Sequence, residues 1–213
     1  MPKSVKVRRS QGERRDEAEQ RLVGATLDVI NESGVSAATF ETIGQRAGYS
    51  RGLATQHFGS KQGLIDAVVD FLHQQQDAAM ASAHVDDRDG LDALLAYINR
   101  YCTMLKRSAE AKAYFMLLSA SVADLQETRE VFAQSHVRVK ARLAKLIERG
   151  QKENLIRRDL DPDATALMIG SLLLGLSMQS LIDPRLRVDS VAQAISKTIV
   201  RGLAPVARKV SNG

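Results

Sequence analysis

Residues 39–58, TFETIGQRAGYSRGLATQHF, decide the fold. Phe40, Ile43 and Ala47 recur at helical spacing behind Thr39, whose hydroxyl suits an N-cap. Gly48-Tyr49-Ser50 then breaks the pattern, and Ser50 can cap a second short helix, Arg51–Phe58. Two short helices joined by a glycine-containing turn make a helix-turn-helix, which lays its second helix in the major groove with N-terminal residues at the base edges. Arg51, Thr55 and Gln56 fall on or near the exposed side of that second helix. Arginine pairs with guanine O6 and N7, glutamine with adenine N6 and N7, and a threonine methyl meets the thymine methyl.

Helical signals continue on both sides. Upstream, Ala18, Leu22, Ala25 and Val29, with Leu27 and Ile30 beside them, predict a first helix from about Arg14 to Asn31. Downstream, Ser60 can cap a helix from Lys61 to about Ala83, and the polar loop 84–90 follows. Leu91, Leu94, Leu95, Ile98, Cys102 and Leu105 form one stripe, and residues 109–123 read as a more apolar helix. A helix over about 128–150 places Phe132, His136, Val139, Leu143 and Leu146 in register. After the charged loop 152–162 come the uncharged helix Ala164–Ile182 and a last helix, Asp189–Leu203, with Val191, Ala194, Ile195, Thr198 and Ile199 on one face. No strand alternation interrupts them, so the fold class is all-α.

Composition agrees. Of 213 residues, 44% are hydrophobic and 26% charged, a globular balance, while 4% aromatics and no Trp leave strong helix formers dominant. The lone Cys102 excludes an intramolecular disulfide and a cysteine-cluster zinc site, which fits a reducing, cytoplasmic setting. Lys3, Lys6, Arg8, Arg9, Arg14 and Arg15 face only Glu13 in the first fifteen residues, and the rest of the chain is balanced. A basic arm on a neutral body suits a polyanion, and the missing apolar run after it argues against a signal peptide. Residues 164–182 approach the length of a membrane span. Their serines and glutamine, acidic flanks Asp163 and Asp183, and lack of a Lys/Arg cluster favour a helix buried in a core or an interface, with no membrane partner.

The same residues resemble the TetR family of transcriptional repressors. Arg21, Leu22, Val23, Ala25, Thr26, Leu27, Val29, Ile30 and Gly34 fit its opening helix. Thr39, Phe40, Ile43 and the run Gln45-Arg46-Ala47-Gly48-Tyr49-Ser50-Arg51-Gly52 are similar to its T-V-x-x-I-A-x-x-A-G-V-S-x-G. His57-Phe58-Gly59-Ser60-Lys61-Gln62-Gly63-Leu64 resembles its Y/H-F-x-S-K-E-x-L. The resemblance implies phosphate contacts at Thr39, Tyr49, His57 and Lys61. Helix N-termini at Thr39 and Ser50 favour an anion on physical grounds as well. With Gln45, Ser50, Arg51, Thr55 and Gln56, these make nine candidate DNA-binding residues. Thr55 stands where the family usually has Tyr, Gly44 where it has Ala, and Gly63 where an acidic residue would complete a capping box at Ser60. The basic arm, in this reading, enters the minor groove or follows phosphates.

The resemblance further implies a sensing and dimerisation domain in the second half. Gly175–Pro184 and Ile199–Leu203 look like the family's last two helices, which pair across a dimer, and Gly170, Ser171 and Gly175 would let another backbone approach. The expected organisation is a flexible basic arm (1–15), a helix-turn-helix domain (16–64), a sensing and dimerisation domain (65–205) and a tail (206–213). Candidate pocket residues are Tyr97, Tyr101, Tyr114, Ser119, His136, Met168 and Gln179, with Cys102 and Met116 beside them, for a mostly apolar effector. No cofactor, metal set or catalytic residue is expected. The four histidines are scattered, the His73/Asp77 pair reads as a solvated face, and no phosphate loop or nucleophile elbow is present. The expectation is a dimeric DNA-binding repressor released from a near-palindromic operator by a small molecule. The alternative is a helical ligand-binding or adaptor protein.

Overall fold

Ser10 starts the first helix. Its hydroxyl accepts the Glu13 amide at 3.1 Å, while the Glu13 carboxylate accepts the Ser10 amide at 2.7 Å, a reciprocal capping box. Helix α1 therefore spans Gln11–Ser33, ahead of the expected start at Arg14. The expected arm, residues 1–15, accordingly loses its last segment to the helix. Its other basic residues lie outside those described, since the computed structural model describes residues 10–82, 87–123 and 128–205. The tail expected at 206–213 also lies outside them.

After a 3-10 turn, Val35–Ala37, come α2 (Phe40–Ala47), α3 (Arg51–Phe58) and α4 (Lys61–Ser82). The chain divides after Phe71, inside α4, into two compact units, residues 1–71 and 72–213. In the first unit the predicted apolar stripe of α1 is buried, with Leu22, Val23, Val29 and Ile30 at its centre. Ile43 of α2, Ala54 of α3 and Leu64, Ile65, Val68 and Val69 of α4 are buried as well. Gly48 ends α2 in the left-handed conformation (φ 78°, ψ 28°), which glycine adopts without a Cβ penalty. Gly44 is more than a weakened helix position. The Tyr49 amide donates to its carbonyl at 2.7 Å, and a β-carbon there would sit 3.0 Å from the Tyr49 carbonyl oxygen. A β-carbon at Gly63 would collide with the Phe58 carbonyl, which gives the loss of the expected acidic residue a steric reason.

The second unit adds α5 (Gly90–Arg107), α6 (Ala109–Ala123), α7 (Arg129–Lys152), α8 (Pro162–Ile182) and α9 (Val188–Leu203). Asp89 caps α5 by accepting the Asp92 amide at 2.8 Å, and Asp161 caps α8 at the Ala164 amide at 2.7 Å with Pro162 in the first turn. Helix α7 packs on α5 and α8, and α9 packs on α5. Leu94, Tyr97, Ile98, Leu143, Ile147, Ile169, Leu173 and Ile199 form the centre of this core. No strand occurs among the described residues.

Two faces differ from expectation. In α7 the inward position is Ser135, fully buried beside buried Phe132, and His136 is exposed. In α9 the buried set is Val188, Ala192, Ile199 and Leu203, with Ala194 and Thr198 outward. Helix α8 is long and apolar enough to cross a membrane, but its two sides are distinct. Thr165, Ala166, Ile169, Leu173, Leu176 and Ser177 are buried, whereas Leu167, Met168, Leu172 and Ile182 are exposed.

One contact in the second unit leaves no room. The Gly90 amide donates to the Glu153 carboxylate at 2.6 Å, and a β-carbon at Gly90 would collide with the Gly150 backbone. Gly90→Ala is expected to destabilise the protein by about 1–3 kcal/mol. Gly24→Ala, whose β-carbon meets nothing within 4 Å in mid-α1, should stabilise it by about 0.5–1 kcal/mol. Urea unfolding of both variants checks the pair of opposite signs.

Candidate nucleic-acid interface

Besides Ser10, three hydroxyl caps set the starts of α2, α3 and α4. Thr39 Oγ1 accepts the Thr42 amide at 3.1 Å, Ser50 Oγ the Leu53 amide at 3.2 Å, and Ser60 Oγ the Gly63 amide at 3.1 Å. Each satisfies one of the free first-turn N–H groups, and the remaining ones give these ends their affinity for anions. Helix α2 is clamped to α1 by Arg46, whose guanidinium donates to both carboxylate oxygens of Glu32. That fork holds the Glu32 carboxyl below its usual range.

The short α3 buries Ala54 and leaves Arg51, Gly52, Leu53, Thr55 and Gln56 exposed. The Arg51 and Gln56 side chains have no hydrogen-bond partner among the described residues, nor does Lys61 at the start of α4. Thr55 donates its hydroxyl to the Arg51 carbonyl at 3.0 Å, so its methyl and its oxygen lone pairs remain to offer a ligand. Gln45 is exposed on α2 and donates to Glu41 Oε1 at 2.9 Å. Tyr49 is half-buried in the turn. The His57 side chain is only 10% exposed, its Nε2 lies 3.0 Å from Glu19 Oε2, and its ring stacks edge-on against Phe58. Eight of the nine candidates thus lie between Thr39 and His57 on two adjacent helices and their turn, and Lys61 begins the next helix. The Glu19 partner of His57 and the Glu32 partner of Arg46 have no local signal in the sequence, since each pairs across more than a dozen residues.

Residues 22–68 match the family described as bacterial regulatory proteins, tetR family. Residues 90–204, just over half the chain, match the BetI-type transcriptional repressor C-terminal domain. The chain belongs to the TetR family of transcriptional regulators. The HTH-type transcriptional regulator BetI of Klebsiella pneumoniae (strain 342) is 26% identical over 195 residues, spanning 87% of this chain and 93% of that one. The protein of the same name from Escherichia coli O139:H28 is 39% identical over 66 residues, 30% of this chain and 34% of its own length. A crystal structure of a TetR-family regulator from Rhodococcus sp. superposes with a TM-score of 0.77 at 20% identity, covering 89% of this chain and all of that one, a likeness of fold. The family regulates transcription through DNA and is not one of enzymes.

In this TetR-family chain the second unit holds a buried polar cluster. Ser135 Oγ lies 2.6 Å from His73 Nε2 and 2.8 Å from Tyr114 Oη. Gln76 donates to Tyr97 Oη at 3.3 Å, and Tyr101 Oη lies 2.6 Å from Ser177 Oγ. Burial pushes the Tyr97, Tyr101 and Tyr114 phenols up, so all three are neutral hydrogen-bonding groups. Of the pocket candidates, these three tyrosines come together. Ser119, His136, Met168 and Gln179 are exposed, the last two on the outward side of α8, so the structure does not bring them into the cluster. His73, Gln76, Ser135 and Ser177 take their places. The pair expected as a solvated face, His73 and Asp77, faces α7 instead, where Asp77 accepts from Arg142 at 2.7 Å. No group of three metal-ligating side chains occurs among the described residues. Removing the shared hydroxyl with Ser135→Ala strips a partner from both His73 and Tyr114. Urea unfolding should show a loss of about 1–3 kcal/mol, with Tyr114→Phe costing less.

Proposed function

We propose that this chain is a dimeric, cytoplasmic repressor that reads a near-palindromic operator through α3 and leaves it when a small molecule binds the second unit. The observation that carries the reading is the exposed side of α3, where Arg51, directly after the Ser50 cap, and Gln56, in the second turn, have no hydrogen-bond partner among the described residues. Arg51 is assigned to a guanine and Gln56 to an adenine, each by paired hydrogen bonds, and Thr55 to a neighbouring base. Thr39, Gln45, Tyr49, Ser50, His57 and Lys61 hold phosphates on either side. His57 does so as the imidazolium, with one N–H donated to Glu19 from Nε2 and the other to phosphate from Nδ1.

The outward stripe of α8, with Leu167, Met168, Leu172 and Ile182, and the adjoining α9 are assigned to the dimer interface. Gly170 and Gly175 have nothing within 4 Å of a β-carbon, which leaves space for a second backbone. Two-fold symmetry then sets half-sites about one helical turn, or a multiple of it, apart. An effector that binds better to the conformation with misplaced α3 helices weakens operator binding by the same factor. Helix α4 begins at Lys61 and ends at Ser82, so it is the lever assigned to that coupling. The neutral phenols and hydroxyls around Ser135 suit a largely apolar effector with hydrogen-bonding ends.

Selection of bound duplexes from a random DNA library tests the reading, followed by affinity against salt. A palindromic consensus bound by a dimer is expected, and enrichment of no sequence overturns the proposal. Arg51→Ala and Gln56→Ala should relax discrimination at single positions, at a cost of about 1–3 kcal/mol each. Lys61→Ala should weaken all sequences evenly and reduce the salt slope by about one unit. Leu172→Asp should yield monomers in sedimentation velocity and abolish tight binding to the full palindrome.

A further inference from the structure

Leu53 is the one large hydrophobic side chain exposed in the first unit among the described residues, at 37%. Scattered exposed leucines are ordinary on protein surfaces, so its position has to carry the argument. All the other exposed large hydrophobics, from Val122 to Ile182, belong to the second unit. At about 100° per residue, Ala54 and Phe58 mark the inward side of α3, and Gly52 and Gln56 lie opposite. Leu53 and Thr55 flank that outer ridge on its two sides. The Leu53 amide is held by Ser50 Oγ at 3.2 Å, which fixes the residue in the first turn of the helix. Helical side chains lean toward the N-terminus, the end that a helix-turn-helix presents to base edges. Gly52 adds no side chain beyond its backbone, so the N-terminal part of the ridge, next to Leu53, is low enough to let Leu53 approach a groove floor.

An isobutyl group has no donor or acceptor to give a base. The apolar feature displayed in the major groove is the thymine 5-methyl. We propose that Leu53 is a specificity-determining residue that reads the 5-methyl group of a thymine in each half-site, on the flank of α3 opposite Thr55. The inference rests on the DNA-reading role assigned to α3. Arg51 and Gln56 supply hydrogen bonds, and Leu53 adds a contact that tells thymine from cytosine and uracil by shape and hydrophobicity.

The test uses the full-length dimer and the duplex obtained by library selection, with each thymine replaced in turn by deoxyuridine. Uracil keeps the base pairing and loses only the methyl. In the wild type, one position per half-site, besides any thymine met by Thr55, should weaken binding about three- to fivefold, the value of one buried methyl-sized group. With Leu53→Ala the penalty at that position should vanish, while Thr55→Ser leaves it in place. A retained uracil penalty in Leu53→Ala overturns the inference, as does a scan with no sensitive position. An even loss on every duplex, with the uracil penalty intact, marks a structural role and also overturns it. Leu53→Met, which keeps the apolar bulk, should retain the penalty and so separates lost contact from lost folding. Failure to select any duplex would instead bring down the repressor reading itself.

Discussion

The approach of the Tyr49–Ser50 turn to the backbone of α2 is the constraint on which the first unit depends. A 2.7 Å hydrogen bond from the Tyr49 amide to the Gly44 carbonyl closes the turn, and Gly48 supplies the left-handed residue that makes the geometry possible. Both glycines are therefore part of how α3 is aimed. Buried Ile43 and Ala54 fill the space where the two helices cross, and Arg46 ties the far side of α2 to α1 through Glu32. An eight-residue helix is too short to be stable alone in water. Its orientation comes from these contacts, and the exposed side chains inherit that precision.

The second unit is organised differently. Its core is apolar at the centre, but three tyrosines, His73, Gln76 and two serines bring polar atoms into it and satisfy one another there. Buried groups of this kind are tolerated only while their partners are present. A packing of helices joined by directional bonds has fewer equivalent arrangements than one joined by leucines.

Most of this organisation is legible in the sequence for a physical reason. Helix starts are local, so Thr39, Ser50 and Ser60 announce α2, α3 and α4 by residue type, and apolar periodicity outlines α1 and α5. Ser10 and Glu13 carry an equally local signal, but a run of basic residues around them reads as an arm. What stayed hidden is the rotation of α7, α8 and α9. His136 and Ser135 are neighbours, and a shift of 100° exchanges which of them is inside. Because α8 is apolar on nearly every side, periodicity could not separate its buried Ile169 and Leu173 from its exposed Leu167 and Met168. On the exposed side of α3, the polar residues were legible by their chemistry. Leu53 was not, because an exposed leucine looks like a core residue until its surroundings are known.

The small size of α3 has a consequence for information. Only Arg51, Leu53, Thr55 and Gln56 carry side chains on its exposed surface. In the proposed reading, four residues at about one base pair each pick out roughly one address in 250. A genome offers about a million or more competing registers, so one copy of this helix leaves thousands of equally good sites. Two copies reading together square the discrimination, to about one in 60,000, and spacing between them sharpens it further. If α3 reads DNA as proposed, the economy of an eight-residue helix shifts the burden of addressing onto symmetry, and the surface that pairs two chains becomes as much a part of sequence selection as any contact to a base.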